Sequence, residues 1–546
     1  MRQAAVEIFG TPGYGLTLAW PRPTGFAAAP RDLRPVDKAV ARMILAGRFV
    51  LVGAALETGK GGDPWRTPSP SRPFAVALHR FEWLPSLVAA GDRGATEALR
   101  LVVDWHQVFR DWSPFAWGRE VLARRVYNLA CASRRLIAAG DETTAADLAD
   151  SLARQARHLL RLPDDRGWAA GHTAAAAVAG AALAGRAGEA LLKRALPRLR
   201  RALTRTVLPD GCHASRNPEA TLSLLFDLLT LDDALTQRGQ PPGDELTRAI
   251  DRLAQAVRFF TLSDGRLCAF QGGETRDRAW PAAALAALED CVAPEHLPDA
   301  AYHRLSGTRL TLVIDAGAPA RGPFGLTACS QPLAFEAADG RDRLIVNAGW
   351  SSRETDLQGF RLEAAASTAS LAEASILSPY QGRRAEALGA RLDGPDFRVA
   401  TARSAEDGAD LLELSHDGWV RRFGLAHGRR LHLDRQTDAL RGEDRFEPAP
   451  GGRARVPAVP FAIRFHLDPE VQVSRARDGK SVLLRGRSER GWWLRHDAGE
   501  AHVEPSTVFQ DGAPRKTQQV VLRGVARTEA ETRVRWKLSP ADATRT

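Results

Sequence analysis

The run RLTLVID, Arg309–Asp315, is the first clear strand in the chain, and the sequence on either side of it obeys different periodicities. Downstream, LAFEA (Leu333–Ala337), a turn at Asp339 and Gly340, and LIVN (Leu344–Asn347) predict a hairpin. Further short strands are predicted at 397–402, 411–414, 430–433, 462–467, 481–486, 491–495, 518–523 and 532–538. So many short strands, separated by Gly and Asp turns, imply two large stacked sheets rather than a parallel α/β sheet. Upstream, from about Leu33 to Leu297, apolar residues recur at helical spacing and are broken by turn signals at 90–92, 139–141 and 237–242. This predicts a run of antiparallel helix pairs. In one of them Leu192, Leu196, Leu199 and Leu203 form an apolar stripe, while Arg194, Arg198, Arg201 and Arg205 line a face that is either solvated or turned toward a polyanion. Helices first and strands afterwards predict a multidomain α + β protein: an irregular segment over 1–30, a helical domain over 31–298 and a β domain over 302–546.

At 546 residues the chain exceeds what one growing core accommodates, and 44% hydrophobic with 26% charged residues is a globular composition. The net charge of +10 invites an anionic partner, although only six of the 75 basic residues are Lys, a skew that also fits a coding bias toward Arg. Five scattered cysteines, with no C-x-x-C spacing, read as free buried thiols. The first ten residues show no secretory pattern, and the apolar stretches Phe49–Leu56 and Thr173–Gly185 are too short to span a membrane.

No Walker loop, dinucleotide fingerprint, H-E-x-x-H or G-x-S-x-G motif is present. The polar cluster that stands out is PDGCHASRNP, Pro209–Pro218, between two predicted helices. His213, Ser215, Arg216 and Asn217 sit there in a tight connection or at a helix N-cap, where donors can converge on an anion. The alternative is a loop in which Asn217 simply caps the next helix.

This segment resembles the D-G-x-H-x-S-R-N-P stretch of the heparinase II/III family, and other motifs follow in that family's order. They are LHRFEWL (78–84), VDW (103–105), ARRV (123–126), SDGRLCAFQGG (263–273), LAFE (333–336), LIVNAG (344–349), HDG (416–418), HGRRL (427–431), GED (442–444), RFHLDP (464–469) and TQQVVL (517–522). The resemblance covers roughly residues 30–540. It implies an N-terminal (α/α) toroid of antiparallel helix pairs followed by a C-terminal antiparallel β-sandwich. It also implies β-elimination on a uronic-acid polysaccharide, a carbon–oxygen lyase reaction. Such chemistry needs donors that neutralise the uronate, a base for its α-proton and an acid for the leaving oxygen. By resemblance, His213 and Asn217 are the catalytic candidates. Arg216, Ser215, His172, Gln271, His427 and Arg429 are the candidates for substrate binding. The expected partner is an acidic polysaccharide, with no nucleic acid, transmembrane segment, cofactor or metal; the resemblance points to the cell envelope or periplasm, while the lack of a secretory pattern leaves the cytoplasm open.

Departures from the family pattern support a second expectation, a weakened or inactive member that binds or organises an envelope polysaccharide. The family's Tyr is missing from Leu267–Gly272, and the chain has only Tyr14, Tyr127, Tyr302 and Tyr380. Where the family carries His-x-His and a later His, this chain has Thr327, Cys329 and Ala366, and Asn347 replaces an acid, so no zinc site is expected there. Trp168, Trp280, Trp350, Trp492 and Trp493 are sugar platforms or core. The adjacent pairs Asp164/Asp165 and Asp232/Asp233 are poorly placed for an inverting hydrolase.

Overall fold

The computed structural model describes residues 8–541 apart from 12, 164–166, 287, 289–291, 351–356, 407, 453–455, 489 and 511. Asp164, Asp165 and Cys291 lie outside the described residues. The four described cysteines are free thiols. The chain divides into two compact units, Met1–Thr206 with Ser223–Asp251, and Val207–Leu222 with Arg252–Thr546.

The first unit is helical. Its helices begin where short polar side chains can satisfy the first free N–H groups. Asp37 accepts from Ala39 N at 2.7 Å, Ser71 from Phe74 N at 3.2 Å and Asp141 from Thr144 N at 2.8 Å. Helix Gly185–Thr206 buries Leu192, Leu199 and Leu203 and leaves Arg194, Arg198, Arg201 and Arg205 exposed, as its stripe predicts. It packs on helix Ala169–Ala182, whose alanines are buried almost all round. There Gly180 lets the two backbones approach, since a Cβ at that position would lie 3.0 Å from Leu191 Cβ. The helical spacing fails at Phe49–Leu56, which folds as the hairpin Arg48–Leu51 with Ala54–Glu57. Val52 and Gly53, at φ 49° and 72°, form the two-residue turn that matches strand twist.

The second unit is a β-sandwich. One sheet has eight strands among the described residues, in the order Val399–Glu406, Ala409–His416, Leu425–Asp434, Leu440–Pro448, Thr532–Pro540, Gly491–His496, Ser481–Arg485 and Gln472–Arg475. The other runs Glu500–Gln510, Ala513–Arg527, Ala458–Leu467, Asp342–Val346, Phe335–Asp339, Leu310–Asp315, Tyr302–Ser306 and His296–Leu297, with Ala369–Leu371 paired to Ala458–Leu467. The predicted hairpin is Phe335–Asp339 with Asp342–Val346, turned at Gly340 (φ 57°) and bulged at Ala337/Ala338. The sheets meet through aromatic rings. Trp536 of the eight-stranded sheet lies parallel to Phe335 at 5.8 Å and edge-on to Phe465 at 5.0 Å, both from the other sheet. The Trp536 ring needs Gly442 beside it, because a Cβ there would lie 2.1 Å from the indole.

Candidate functional site

The loop before helix Pro218–Gln237 folds back on itself, Val207 pairing with His213 and Leu208 N donating to Cys212 O at 2.8 Å. Gly211 closes the turn at φ 88°, where a Cβ would lie 1.9 Å from Arg252 O. Asp210 fastens the loop by accepting from Cys212 N at 3.1 Å and Ala300 N at 2.7 Å.

His213 Nδ1 accepts from Ser215 N at 3.1 Å and lies 2.8 Å from Ser215 Oγ. The backbone donor fixes the tautomer with the proton on Nε2. Burial lowers the His213 pKa to about 4, so the ring is neutral at pH 7. It stands edge-on to Phe324, centroids 5.8 Å apart.

Arg216, at φ 62°, points its guanidinium into the sandwich unit. Nε donates to Ala300 O at 2.7 Å, Nη1 to Ala318 O at 2.9 Å, and Nη2 to the buried carboxylate of Asp315. The guanidinium lies 4.7 Å from the ring centre of Tyr302, whose hydroxyl donates to Arg216 O at 2.8 Å. Asn217 Oδ1 accepts from Glu219 N at 2.8 Å and Ala220 N at 3.2 Å, which makes it the N-cap of the next helix. Gln271 joins the same cluster: its Nε2 donates to the other Asp315 oxygen at 2.7 Å, and its Oε1 accepts from Cys329 N at 3.0 Å.

His213, Ser215, Arg216, Asn217 and Gln271 therefore come together, and the member that sequence reasoning missed is Asp315. It ends the strand Leu310–Asp315 with no exposed surface, and a buried acid at the end of an apolar strand is itself a signal that a cation must be near. The arrangement corrects the expected role of Arg216. Its donors are spent on protein acceptors, and its side chain is 7% exposed, so it does not present a fork to an incoming anion.

His427 and Arg429 lie elsewhere in this unit, and their expected place in substrate binding is corrected too. Both have no exposed surface, because positions 427 and 429 face the sandwich core. Gly418 N donates to His416 Nδ1 at 3.2 Å, so His416 Nε2 carries a proton toward His427 Nδ1 at 3.2 Å. His427 Nε2 in turn donates to Asp444 at 2.8 Å. Arg429 Nε and Trp536 Nε1 complete the Asp444 carboxylate, at 2.8 and 2.9 Å. Arg429 also donates to Leu333 O at 2.8 Å and Ser367 O at 3.0 Å, which ties the two sheets together. The Arg429 charge and the His427 hydrogen bond hold Asp444 well below the usual carboxylate range against the opposing effect of burial, and burial lowers the pKa of both histidines.

His172 belongs to the helical unit, in the first turn of helix Ala169–Ala182, with its ring 5.7 Å from that of Trp168. Burial lowers its pKa to about 4, and Arg119 adds to the shift. The phenols of Tyr14, Tyr127 and Tyr302 are held by His158, by Thr230 and Arg34, and by Arg216 O respectively. Among the described residues, no three His, Cys, Asp or Glu side chains converge as a metal ion requires. No described helix is long and apolar enough to cross a membrane.

A family model described as Heparinase II/III-like, C-terminal, matches residues 292–537. FtsZ-localized protein C of Caulobacter vibrioides (strain NA1000 / CB15N) is 48% identical over 545 residues, 98% of this chain and 94% of that protein. Among solved structures, heparinase III superposes with a TM-score of 0.71 at 14% identity, covering 98% of this chain and 89% of its own. Heparan sulfate lyase HepC from Pedobacter heparinus gives 0.54 at 15% identity, with 96% and 87% covered. At that identity the likeness concerns the fold, a helical toroid followed by a β-sandwich.

Proposed function

We propose that this chain, which belongs to the heparinase II/III-like family, is a non-cleaving member that localises with FtsZ. The observation that carries the first half is the engagement of Arg216 and Gln271 by Asp315, together with the capping role of Asn217. Eliminative cleavage needs a free neutralising donor and a phenol or imidazole poised at the substrate. Here the donors of Arg216 and Gln271 are taken by Asp315, Asn217 Oδ1 caps a helix, and the Tyr302 hydroxyl is committed to a backbone carbonyl. The second half rests on the relative named FtsZ-localized protein C, whose 48% identity runs along almost the whole length of both chains. The test is sedimentation of the purified protein with FtsZ filaments, alongside imaging of a fluorescent fusion with FtsZ in cells. Absence of co-sedimentation and of shared localisation would remove this reading.

The second reading is β-elimination of an acidic polysaccharide at the cell envelope, with His213 as the base. The observation that favours it is the neutral, half-buried His213 ring, whose unprotonated nitrogen and attached Ser215 hydroxyl could relay a proton. A panel of uronic-acid polysaccharides, followed for the ultraviolet absorbance of an unsaturated uronate, decides it. We expect no rise with any of them, and a rise abolished by His213→Ala would replace the first reading with this one.

A further inference from the structure

The helical unit holds a cavity of about 90 Å³ among helices Asp92–Phe109, Arg119–Ala138 and Glu142–Leu159. A single water needs on the order of 10–15 Å³, so the space admits a body of several heavy atoms. Its floor is buried and largely apolar, with Phe81, Trp105, Leu129 and Leu148. Phe81 is held at φ 56°, a strained conformation for a bulky residue, and Asn128 Nδ2 fastens it by donating to Arg80 O at 3.0 Å and Phe81 O at 3.1 Å. Half-buried His106 and Thr144 and exposed Asp147 form the rim.

A polar chain runs to this rim, and its direction is set at its root. Arg125, itself outside the lining, can only donate, and its Nε gives a hydrogen bond to Gln155 Oε1 at 2.7 Å. Gln155 Nε2 then donates to Ser151 Oγ at 3.1 Å, and the Ser151 proton turns to His106 Nδ1, 3.3 Å away. The His106 ring is neutral at pH 7, because burial, with Arg110 adding to it, lowers its pKa more than Asp147 raises it. With Nδ1 accepting, the proton of the neutral ring sits on Nε2, which has no partner among the described residues. Asp147, whose charge acts on this ring, likewise has no hydrogen bond or ion pair among the described residues. The rim therefore offers one donor and one acceptor above an apolar floor.

Charge keeps ions out of the site. Among the described residues the lining holds no Lys or Arg and one carboxylate, Asp147, which opposes an anion. The Arg125 guanidinium lies 4.2 Å from the ring centre of Trp105 with no carboxylate acting on it, and so opposes a cation on the floor.

We infer that this cavity binds a small neutral aromatic alcohol, its ring on Phe81 and Trp105 and its hydroxyl accepting from His106 Nε2 while donating to Asp147. The aromatic floor selects a flat apolar body, and a hydroxyl is the smallest head that accepts and donates at once.

The test uses the full-length protein and two probes of nearly the same shape, phenol and fluorobenzene, titrated by calorimetry. Phenol should bind saturably with one site per chain, and fluorobenzene, which has no proton to donate, at least tenfold more weakly. Asp147→Ala, a change at an exposed position, should weaken phenol about tenfold and leave fluorobenzene unaffected. Val103→Phe, which fills the cavity from a half-buried position in its lining, should remove phenol binding while the circular dichroism spectrum stays unchanged, and Asp147→Ala carries the test if Val103→Phe does not fold. The proposal is overturned by no saturable phenol binding, by equal affinity for the two probes, by unchanged phenol affinity in Asp147→Ala, or by phenol binding that survives Val103→Phe.

Discussion

The carboxylate of Asp315 pairs with the guanidinium of Arg216 at a depth where their side chains are 0% and 7% exposed. Removing one partner leaves the other charge buried and unmatched, which costs about 3–5 kcal/mol. Asp315→Ala and Arg216→Ala should each lower the unfolding free energy by about that amount. A paired replacement such as Arg216→Met with Asp315→Leu should recover a large part of it. Urea unfolding of the three variants checks this, and a loss below about 1 kcal/mol for both single variants would mean that the pair is solvated.

Asn217 offers a milder contrast in the same loop. Its carbonyl oxygen caps helix Pro218–Gln237, so Asn217→Ala should cost about 1 kcal/mol. Asn217→Asp should be neutral or slightly stabilising, since a carboxylate accepts the same two N–H groups and suits the positive end of the helix. Thermal unfolding distinguishes the two substitutions.

Acid should weaken the fold in two stages. His213, His172 and His466 have pKa values lowered to about 4, 4 and 3, against 6.5 when unfolded, so the unfolded chain binds their protons first. Their contribution is complete above the unfolded value and is lost as pH falls from about 6.5 toward the folded values, at up to about 1.4 kcal/mol per pH unit for each ring. Asp444, lowered by Arg429 and His427, adds a second loss below about pH 4. Stability measured from pH 7 to pH 3 should fall throughout, and His466→Gln should flatten the upper part of the curve if the variant folds. A stability that rises between pH 7 and pH 5 would contradict this account.

Gly442→Ala tests the aromatic seam. The added methyl would enter the Trp536 ring, and overpacking of this kind costs about 1–3 kcal/mol. The near-ultraviolet circular dichroism of the buried indole should change along with the melting temperature.

The switch of periodicity near Tyr302, the helical stripe at Leu192–Leu203 and most of the sandwich strands were legible in the sequence. Strand Leu440–Pro448 was not, because its core-facing positions are Leu440, Gly442, Asp444 and Phe446. Glycine and aspartate there erase the apolar alternation, yet both are demanded by one neighbour, Trp536. Strand Glu500–Gln510 was hidden by Pro505, which is tolerated because the strand lies at the edge of its sheet.

The candidate site was half legible. Motif order singled out His213, Ser215, Arg216, Asn217 and Gln271, which the structure brings into one cluster. It could not tell whether the Arg216 fork faces solvent or Asp315, because the two are 99 residues apart. The arginines around His427 show the same limit. A basic run reads as surface, but Arg429 is turned inward by the strand's period of two and neutralised by Asp444 from the adjacent strand.

The interleaving of the two units along the chain bears on how the protein can be dissected. Val207–Leu222 belongs with the sandwich although the sandwich strands begin only at His296, and Ser223–Asp251 returns to the helical unit in between. No single cleavage separates the units. A fragment that stops before Tyr302 would keep Arg216 and lose Asp315, and the complementary fragment would carry the acid without its cation. Each half inherits an unpaired buried charge, so the two should be recovered in native form only when both are present together.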